Sequence, residues 1–351
     1  MFEDTDPASS TAQIESQATP QYSGAPSEGR RQPFFCDLFY QQLWQKAKDF
    51  YGWAVEYCAH KNESIDTLKG LVSDIENDGI WANLLESLSM GDDLLFNVFM
   101  PRDKYDILTH HPVNVTILSL KLGMGLNTFS KQDLKRLGLA ALTHDLGMAE
   151  ILMSIMNKDA NLSAGEKRSI ERHPAVTKSL VSQLGLDYEW LAMVVYQEHE
   201  RENGQGYPEG LSGNGINLMA KVIGLMDTVD AMIHPRPWRR SIPPPDVIQA
   251  LLTSQREFFA SDLVKALIRE VSPFPPGSYV RLNSKEIGQV IRVAKKHPLR
   301  PDMIIWFDST GVRIREPKIV QLKSQPFLHI VGSVDTEELP SQTVKVMDAE
   351  R

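Results

Sequence analysis

Apolar residues recur three and four positions apart between residues 34 and 100, which is the period that places them on one face of a helix. Two such sets are Leu38, Phe39, Leu43 and Trp44, followed by Leu68, Leu71, Val72 and Ile75. The pattern predicts a helical N-terminal region. Its aromatic residues are more typical of core packing than of a ligand site.

Residues 101–270 continue the helical pattern and carry clear signals for where helices begin. Ser130 with Asp133, and Ser163 with Glu166, resemble the capping box, a motif that satisfies backbone amides at a helix start. The first pair precedes a run of leucines and alanines that share one helical face. We therefore predict a helical domain over this range.

The period changes from helical to alternating after the proline-rich stretch at 273–276. Runs of β-branched and aromatic residues then predict short strands near 279–282, 288–293, 303–307 and 319–322. A small β-unit of about four or five strands fits this C-terminal part of the chain.

Together these patterns predict a mainly α fold, with a helical N-terminal region at 34–100, an all-helical domain at 101–270 and a small C-terminal β-unit at 271–338. Residues 1–33 are rich in Ser, Ala, Pro, Gln and Gly and lack apolar periodicity, which predicts a disordered tail. The polar residues 339–351 predict a flexible tail.

Composition narrows the functional classes. The net charge of −8 argues against a protein that binds nucleic-acid polymers, although a local metal site could still attract a small anion. The two cysteines, Cys36 and Cys58, provide neither a disulfide framework nor zinc-ligand spacing, so we expect a cytoplasmic protein. The N-terminus lacks the features of a signal peptide, and no apolar run approaches membrane-spanning length.

The adjacent pair His144 and Asp145, at the end of an amphipathic helical stretch, is the strongest local sign of chemistry. Imidazole and carboxylate groups both bind divalent metals, and a carboxylate can reach a second ion with its other oxygen. Such a doublet often occurs by chance, so its significance comes from the other candidate ligands along the chain. These are His111, His173, Glu198, His199 and Asp227.

Each of these residues also has an ordinary structural interpretation. His111 and His173 both precede apolar helices, where a single histidine usually packs or caps. Asp227 and Asp230 lie three residues apart, and hence on one face, of a helix predicted over about 217–232. An inward aspartate on that apolar helix requires a partner, and a metal ion would be one.

Residues 197–208 combine candidate ligands with glycines that permit close backbone approach. Tyr207, near the end of this segment, could stack on a base or anchor the loop. Further glycines up to Gly215 predict that the loop is long.

The order of these motifs resembles the HD-GYP family, a branch of the HD-superfamily metal-dependent phosphohydrolases, over roughly residues 101–240. The matching motifs are His-Pro-Val-Asn-Val at 111–115, His144-Asp145, His173-Pro174, Glu-His-Glu…Gly-x-Gly-Tyr-Pro at 198–208, Asp227-Thr-Val-Asp230-Ala and Arg236-Pro-Trp-Arg239. The resemblance implies an HD-type all-helical domain with two or three metal ions. It also implies hydrolysis of the bacterial second messenger cyclic di-GMP to pGpG or GMP, and hence a role in signal transduction.

The resemblance also assigns expected roles. Metal-ligand positions are His111, His144, Asp145, His173, Glu198, His199 and Asp227. Positions expected near the substrate are Tyr207, Asp230, Arg236 and Arg239. His144 and Asp145 are the catalytic pair, because Asp145 can bridge two cations whose shared water becomes the attacking hydroxide.

Three residues depart from the usual family pattern. Met148 replaces a lysine that would face a substrate phosphate, Glu198 replaces the first histidine of His-His-Glu, and Asn203 replaces an aspartate. Ile107 stands where some members have the acidic ligand of a third ion, so we favour two ions. A mixed histidine and carboxylate set suits iron or manganese.

The departures keep a second function open, a catalytically weak or inactive sensor that binds cyclic di-GMP or a signalling protein. A third possibility is hydrolysis of another nucleotide, which the Gly-Tyr-Pro block disfavours. We expect turnover slower than in members with lysine at position 148, and expect Met148→Lys to raise rate or affinity if the pocket is otherwise matched. The oligomeric state is left open.

Overall fold

The computed structural model describes most of the chain between residues 38 and 339. The described ranges are 38–59, 63–91, 93–99, 107–155, 162–236, 238–294, 297–335 and 338–339. They belong to one compact unit, Pro33–Pro340. The tails predicted at 1–33 and 339–351 lie outside the described residues, apart from residue 339.

The described part of the chain is mainly helical, which confirms the predicted fold class. Its helices are α1 Leu38–Cys58, α2 Ile65–Asn77, α3 Ile80–Met90, α4 Asp93–Val98, α5 Ile107–Leu126, α6 Lys131–Thr143, α7 Met148–Ile155, α8 Ala164–Ile170, α9 His173–Ser182, α10 Glu189–Gln197, α11 Leu218–Ile233, α12 Pro244–Leu252 and α13 Ser261–Val271. Within these residues, no helix is both long and apolar enough to cross a membrane.

Both predicted capping boxes are present. The Ser130 hydroxyl accepts a hydrogen bond from the Asp133 amide at 3.1 Å, and the Asp133 carboxylate accepts one from the Ser130 amide at 3.0 Å. Ser163 and Glu166 make the same exchange at the start of α8. The first box fixes the start of α6, a helix with eight buried residues that ends immediately before His144.

The helices that precede residue 100 share one hydrophobic core with those that follow. Helix α5 is central to it and packs against α1, α6, α11 and α13. Trp81 of α3 lies so close to Gly138 of α6 that a Cβ atom there would collide with the indole ring. The N-terminal helices therefore help to hold the helices that carry the candidate ligands.

The C-terminal β-unit is a single antiparallel sheet with strand order β4-β3-β2-β1-β5. Its strands are β1 Tyr279–Leu282, β2 Ile287–Arg292, β3 Asp302–Phe307, β4 Arg313–Gln321 and β5 Ile330–Ser333. Four strands overlap the predicted ones, and β5 completes the sheet by pairing with β1. The Ser333 hydroxyl of β5 lies 3.1 Å from the Asp246 carboxylate of α12, so the sheet contacts the helical part.

Replacing Ser130 with alanine should lower the free energy of unfolding by about 1 kcal/mol, because the Asp133 amide loses its acceptor. Ser163→Ala is the matched control, since it removes the same cap from α8, which has no buried residue. Its effect on global unfolding should be smaller, because α8 can open without exposing the core. Urea unfolding followed by circular dichroism measures both losses. An equal loss in the two variants would contradict this account.

Candidate metal centre

The predicted metal ligands come from five helices that meet in one place. Helix α5 provides one ligand, the residues after α6 provide two, the first residue of α9 provides one, the residues after α10 provide two, and α11 provides one. In chain order they are His111, His144, Asp145, His173, Glu198, His199 and Asp227. Helix ends therefore bring most of these side chains together.

The ligand atoms form two groups, and within each group the atoms lie within 4.8 Å of one another. The Asp145 carboxylate joins the two groups. Its Oδ1 atom lies 3.1 Å from His173 Nε2, and its Oδ2 atom lies 3.5 Å from the Nε2 atoms of both His111 and His144. One group contains Asp145, His173, Glu198 and His199, and the other contains His111, His144 and Asp227.

Backbone carbonyls orient two of the histidines. The Nδ1 atoms of His144 and His173 donate to the carbonyl oxygens of Ala141 and Ile170, each at 2.7 Å. These bonds leave the lone pair of each Nε2 atom directed towards the other ligands. The Nε2 atom of His144 is buried and has no hydrogen-bond partner within the described residues. A divalent metal ion would satisfy such a nitrogen.

Asp230 lies behind His111, where it accepts a hydrogen bond from His111 Nδ1 at 2.6 Å. Its other carboxylate oxygen lies 2.9 Å from His234 Nδ1, and the residue is 1% exposed. Burial alone would raise the pKa of Asp230, but His234 and His111 lower it below its ordinary value. Asp230 therefore orients a candidate ligand, which differs from the substrate contact that the resemblance implied.

The histidines and carboxylates of the centre shift one another's pKa values strongly. Burial alone would lower the pKa of His111 and of His173, but the adjacent carboxylates raise each to about 9. Burial alone would raise the pKa of Asp145, but His144, His173 and His111 lower it. A cation that binds between these groups would replace the protons on the histidines.

Glu198 occupies the position where the resembling family usually has histidine, and its side chain is fully buried. Its Oε1 atom lies 3.4 Å from His173 Nε2, whereas its Oε2 atom has no hydrogen-bond partner among the described residues. Burial raises the pKa of Glu198. A buried carboxylate oxygen without a donor is costly, so this position also fits a metal ion.

Glu200 is a structural residue that sequence reasoning missed. Its buried carboxylate accepts hydrogen bonds from the amides of Glu209 and Leu211 at 2.7 and 2.8 Å, which folds the glycine-rich loop back on itself. At Gly206 the loop lies against the backbone of His199, and a Cβ atom there would collide with the His199 carbonyl oxygen. The local signal for Glu200 was its place in Glu-His-Glu, but its partners lie about ten residues downstream.

Tyr207 supports His199. The two rings stack with centroids 4.7 Å apart and planes inclined by 17°. The Tyr207 amide also donates to the His199 carbonyl oxygen at 3.1 Å. One face of the tyrosine ring is therefore occupied, which favours the loop-anchor interpretation over stacking on a base.

Arg236 and Arg239 face each other across a tight turn, in which each backbone amide donates to the other's carbonyl oxygen at 2.8 and 3.0 Å. Arg236 acts to lower the pKa of His111, so its positive charge lies near the centre. Burial, and then Arg236, lowers the pKa of Arg239. No ion pair with an acidic side chain is found for either arginine within the described residues. Two adjacent guanidinium groups of this kind favour an anion.

Met148 packs in a small apolar cluster with Ile151, Leu108 and Trp238. It is 8% exposed, so its side chain contributes to packing at the start of α7. A lysine at this position could keep its alkyl stem along the cluster while its ammonium group extended beyond it.

The family comparison agrees with this geometry. A family model described as an HD domain matches residues 100–261. The matched residues include all seven candidate ligands. A second model, described as a KOW domain associated with the HD domain, matches residues 279–342 and so covers the C-terminal sheet.

The chain is also similar to curated phosphodiesterases. A cyclic di-GMP phosphodiesterase of Pseudomonas aeruginosa is 27% identical over 59% of this chain and 49% of its own length. Another from Borreliella burgdorferi is 26% identical over 54% of this chain and 50% of its own. The 3'3'-cGAMP-specific phosphodiesterase 3 of Vibrio cholerae is 35% identical over 30% of this chain and 22% of its own. The chain spans about half the length of the first two relatives.

Asp145→Ala should remove most of the metal that the purified protein retains, because this carboxylate belongs to one ligand group and contacts the other. Glu202→Gln is the matched control, since Glu202 pairs with Lys221 at 2.6 Å and lies outside both ligand groups. Elemental analysis after extensive dialysis measures the metal content of both variants. Wild-type content in Asp145→Ala would exclude Asp145 as the shared ligand.

Proposed function

We propose that this chain is a metal-dependent phosphodiesterase that hydrolyses cyclic di-GMP to pGpG, GMP or both. The observation that carries the proposal is the Asp145 carboxylate, whose two oxygens contact two different groups of candidate ligands. The names of the relatives from Pseudomonas aeruginosa and Borreliella burgdorferi support the choice of substrate.

The chain's residues fit two divalent ions, which we propose are iron or manganese because the donors are imidazoles and carboxylates without a thiolate. When bound, such ions activate a water molecule and neutralise charge on phosphate oxygens. One ion would be held by His111, His144 and Asp227, and the other by His173, Glu198 and His199. Asp145 would contact both.

The residues around the centre prepare it for a phosphodiester. Asp230 and two backbone carbonyls hold three histidine rings in place, so little reorganisation is needed when a ligand binds. Arg236 and Arg239 would hold phosphate oxygens, since guanidinium groups match their geometry and these two lack acidic partners among the described residues. The Tyr207 ring stacks on one face of the His199 ring.

We further propose that the protein acts in cytoplasmic signal transduction, consistent with the absence of a disulfide framework in the sequence. Signalling proteins are additional candidate partners.

A catalytically weak sensor of cyclic di-GMP is the second candidate. It is favoured by the apolar cluster around Met148, which replaces a cation expected to face the substrate phosphate. Loss of that cation removes electrostatic help but leaves the metal ligands unchanged, so we favour slow hydrolysis.

The deciding experiment incubates manganese-loaded or iron-loaded protein with cyclic di-GMP and separates the products by chromatography. We expect pGpG or GMP from the wild-type protein and neither from Asp145→Ala. A parallel incubation with 3'3'-cGAMP tests the specificity named for the Vibrio cholerae relative. Tight binding of cyclic di-GMP without any product over a long incubation would favour the sensor instead.

Replacing both Arg236 and Arg239 with glutamine should weaken cyclic di-GMP binding at least tenfold, because each charge-assisted hydrogen bond contributes about 1.5–3 kcal/mol. Arg240→Gln is the control, since it removes the same charge from an exposed residue immediately after the turn. Isothermal calorimetry with metal-loaded protein and a hydrolysis-resistant phosphorothioate analogue of cyclic di-GMP measures all affinities. Unchanged affinity in the double variant would show that these arginines are not substrate contacts.

A further inference from the structure

The side chain of Arg201 holds the backbone segment that carries two of the candidate ligands. Its Nη1 atom donates to the carbonyl oxygen of Glu198 at 2.9 Å and to that of Glu200 at 3.0 Å. These two carbonyl groups lie on either side of His199 in the chain. Hydrogen bonds from a charged donor are stronger than neutral ones, so the guanidinium group restrains this segment firmly.

The same guanidinium group reaches helix α11. Its Nη2 atom donates at 3.4 Å to the hydroxyl oxygen of Thr228, the residue that directly follows the candidate ligand Asp227. The Thr228 hydroxyl itself donates to the Gly224 carbonyl oxygen at 2.8 Å, so it can accept from the arginine. A Cβ atom at position 224 would lie only 3.1 Å from Arg201 Nη1, so the glycine leaves room for the guanidinium group.

Arg201 makes all of these bonds to neutral acceptors. Glu202 pairs with Lys221, and the Glu200 carboxylate accepts backbone amides, so neither glutamate neutralises the arginine. No ion pair is found for Arg201 in the part of the chain that the structure describes. A planar guanidinium group can serve several acceptors at fixed angles, which indicates a geometric role for this side chain.

The other side of the segment is also supported. The Arg201 guanidinium carbon lies 5.1 Å from the centre of the Phe259 ring, which is buried. The adjacent Glu202 amide donates to the Phe258 carbonyl oxygen at 3.1 Å. Arg201 is therefore held between α11 and the residues that precede α13.

We propose that Arg201 is a positioning residue of the metal centre, which fixes the spacing between the segment of Glu198 and His199 and the helix of Asp227. The inference rests on the proposed metal-dependent function. Glu198 and His199 belong to one ligand group and Asp227 to the other, so this spacing sets the distance between the two ions. Asp145 can contact both ions only when that distance is maintained.

The test is Arg201→Lys, which keeps the charge but presents a single nitrogen that cannot span acceptors on two segments. We expect manganese affinity, measured by competition with a fluorescent chelator, to fall about 10-fold to 100-fold. At saturating manganese, electron paramagnetic resonance should show a weaker signal from magnetically coupled ions, because coupling depends on their separation. A residue that served only stability would lower the unfolding temperature and leave the coupled signal unchanged.

Arg300→Lys is the matched control, because Arg300 also holds backbone carbonyl groups but lies outside both ligand groups. Its guanidinium group donates at 3.1 to 3.4 Å to the carbonyl oxygens of Leu322, Gln325, Pro326 and Leu328. The metal-free variant should unfold at a lower temperature than the wild-type protein. Its manganese affinity and coupled signal should stay at the wild-type values.

Thr228→Val is a second variant, which removes only the acceptor on α11 and leaves the carbonyl bonds of Arg201 in place. It should weaken the coupled signal in the same direction but by less. Thr116→Val is its control, since the Thr116 hydroxyl makes the same type of bond within α5, to the Pro112 carbonyl oxygen at 2.7 Å. This control should keep the wild-type signal.

Wild-type manganese affinity and coupling in Arg201→Lys would overturn the inference. Equal losses in Arg300→Lys would also overturn it, by attributing the effect to general stability. If Arg201→Lys does not fold, an unchanged signal in Thr228→Val would overturn it instead. Wild-type protein that takes up no manganese would overturn the proposed function together with the inference. Losses confined to Arg201→Lys and Thr228→Val would support the inference even if the wild-type protein failed to hydrolyse cyclic di-GMP, since no nucleotide enters this test.

Discussion

The half-buried carboxylate of Asp145, surrounded by histidine nitrogens, is the constraint on which the rest of the structure depends. Charged groups removed from water are stable only when each has a partner of opposite character in good geometry. That requirement explains why the outer contacts are so complete. A carbonyl oxygen or a carboxylate accepts the Nδ1 proton of each of three histidines, and Asp230 is itself held by His234.

The fold meets this requirement by bringing helix ends together instead of building the centre on one element. The carbonyl oxygens of Ala141 and Ile170 lie in the last turns of α6 and α8, where backbone acceptors are available to side chains. Close backbone approach is also necessary. A Cβ atom at Gly224 of α11 would collide with the Glu198 carbonyl oxygen, so a glycine there allows α11 to carry Asp227 up to the other ligands.

Features with a local sequence signal could be predicted, and features set by distant packing could not. The two capping boxes and four of the strands were predicted from spacing alone, because their partners lie within a few residues. The order of candidate ligands was available from the family resemblance. By contrast, Asp230 depends on His111, 119 residues away, and its role as an outer partner required the folded chain.

The shared core has a practical consequence for any fragment of this protein. A fragment that began at the HD domain match would expose the faces of α5 and α6 that α1 and α3 cover, including the surface opposite Trp81. Large newly exposed apolar faces promote aggregation, so poor behaviour of such a fragment would reflect a missing neighbour. The family match therefore begins at a different residue from the part of the chain that can fold on its own. That cooperative unit includes helices that lie well before the first matched residue.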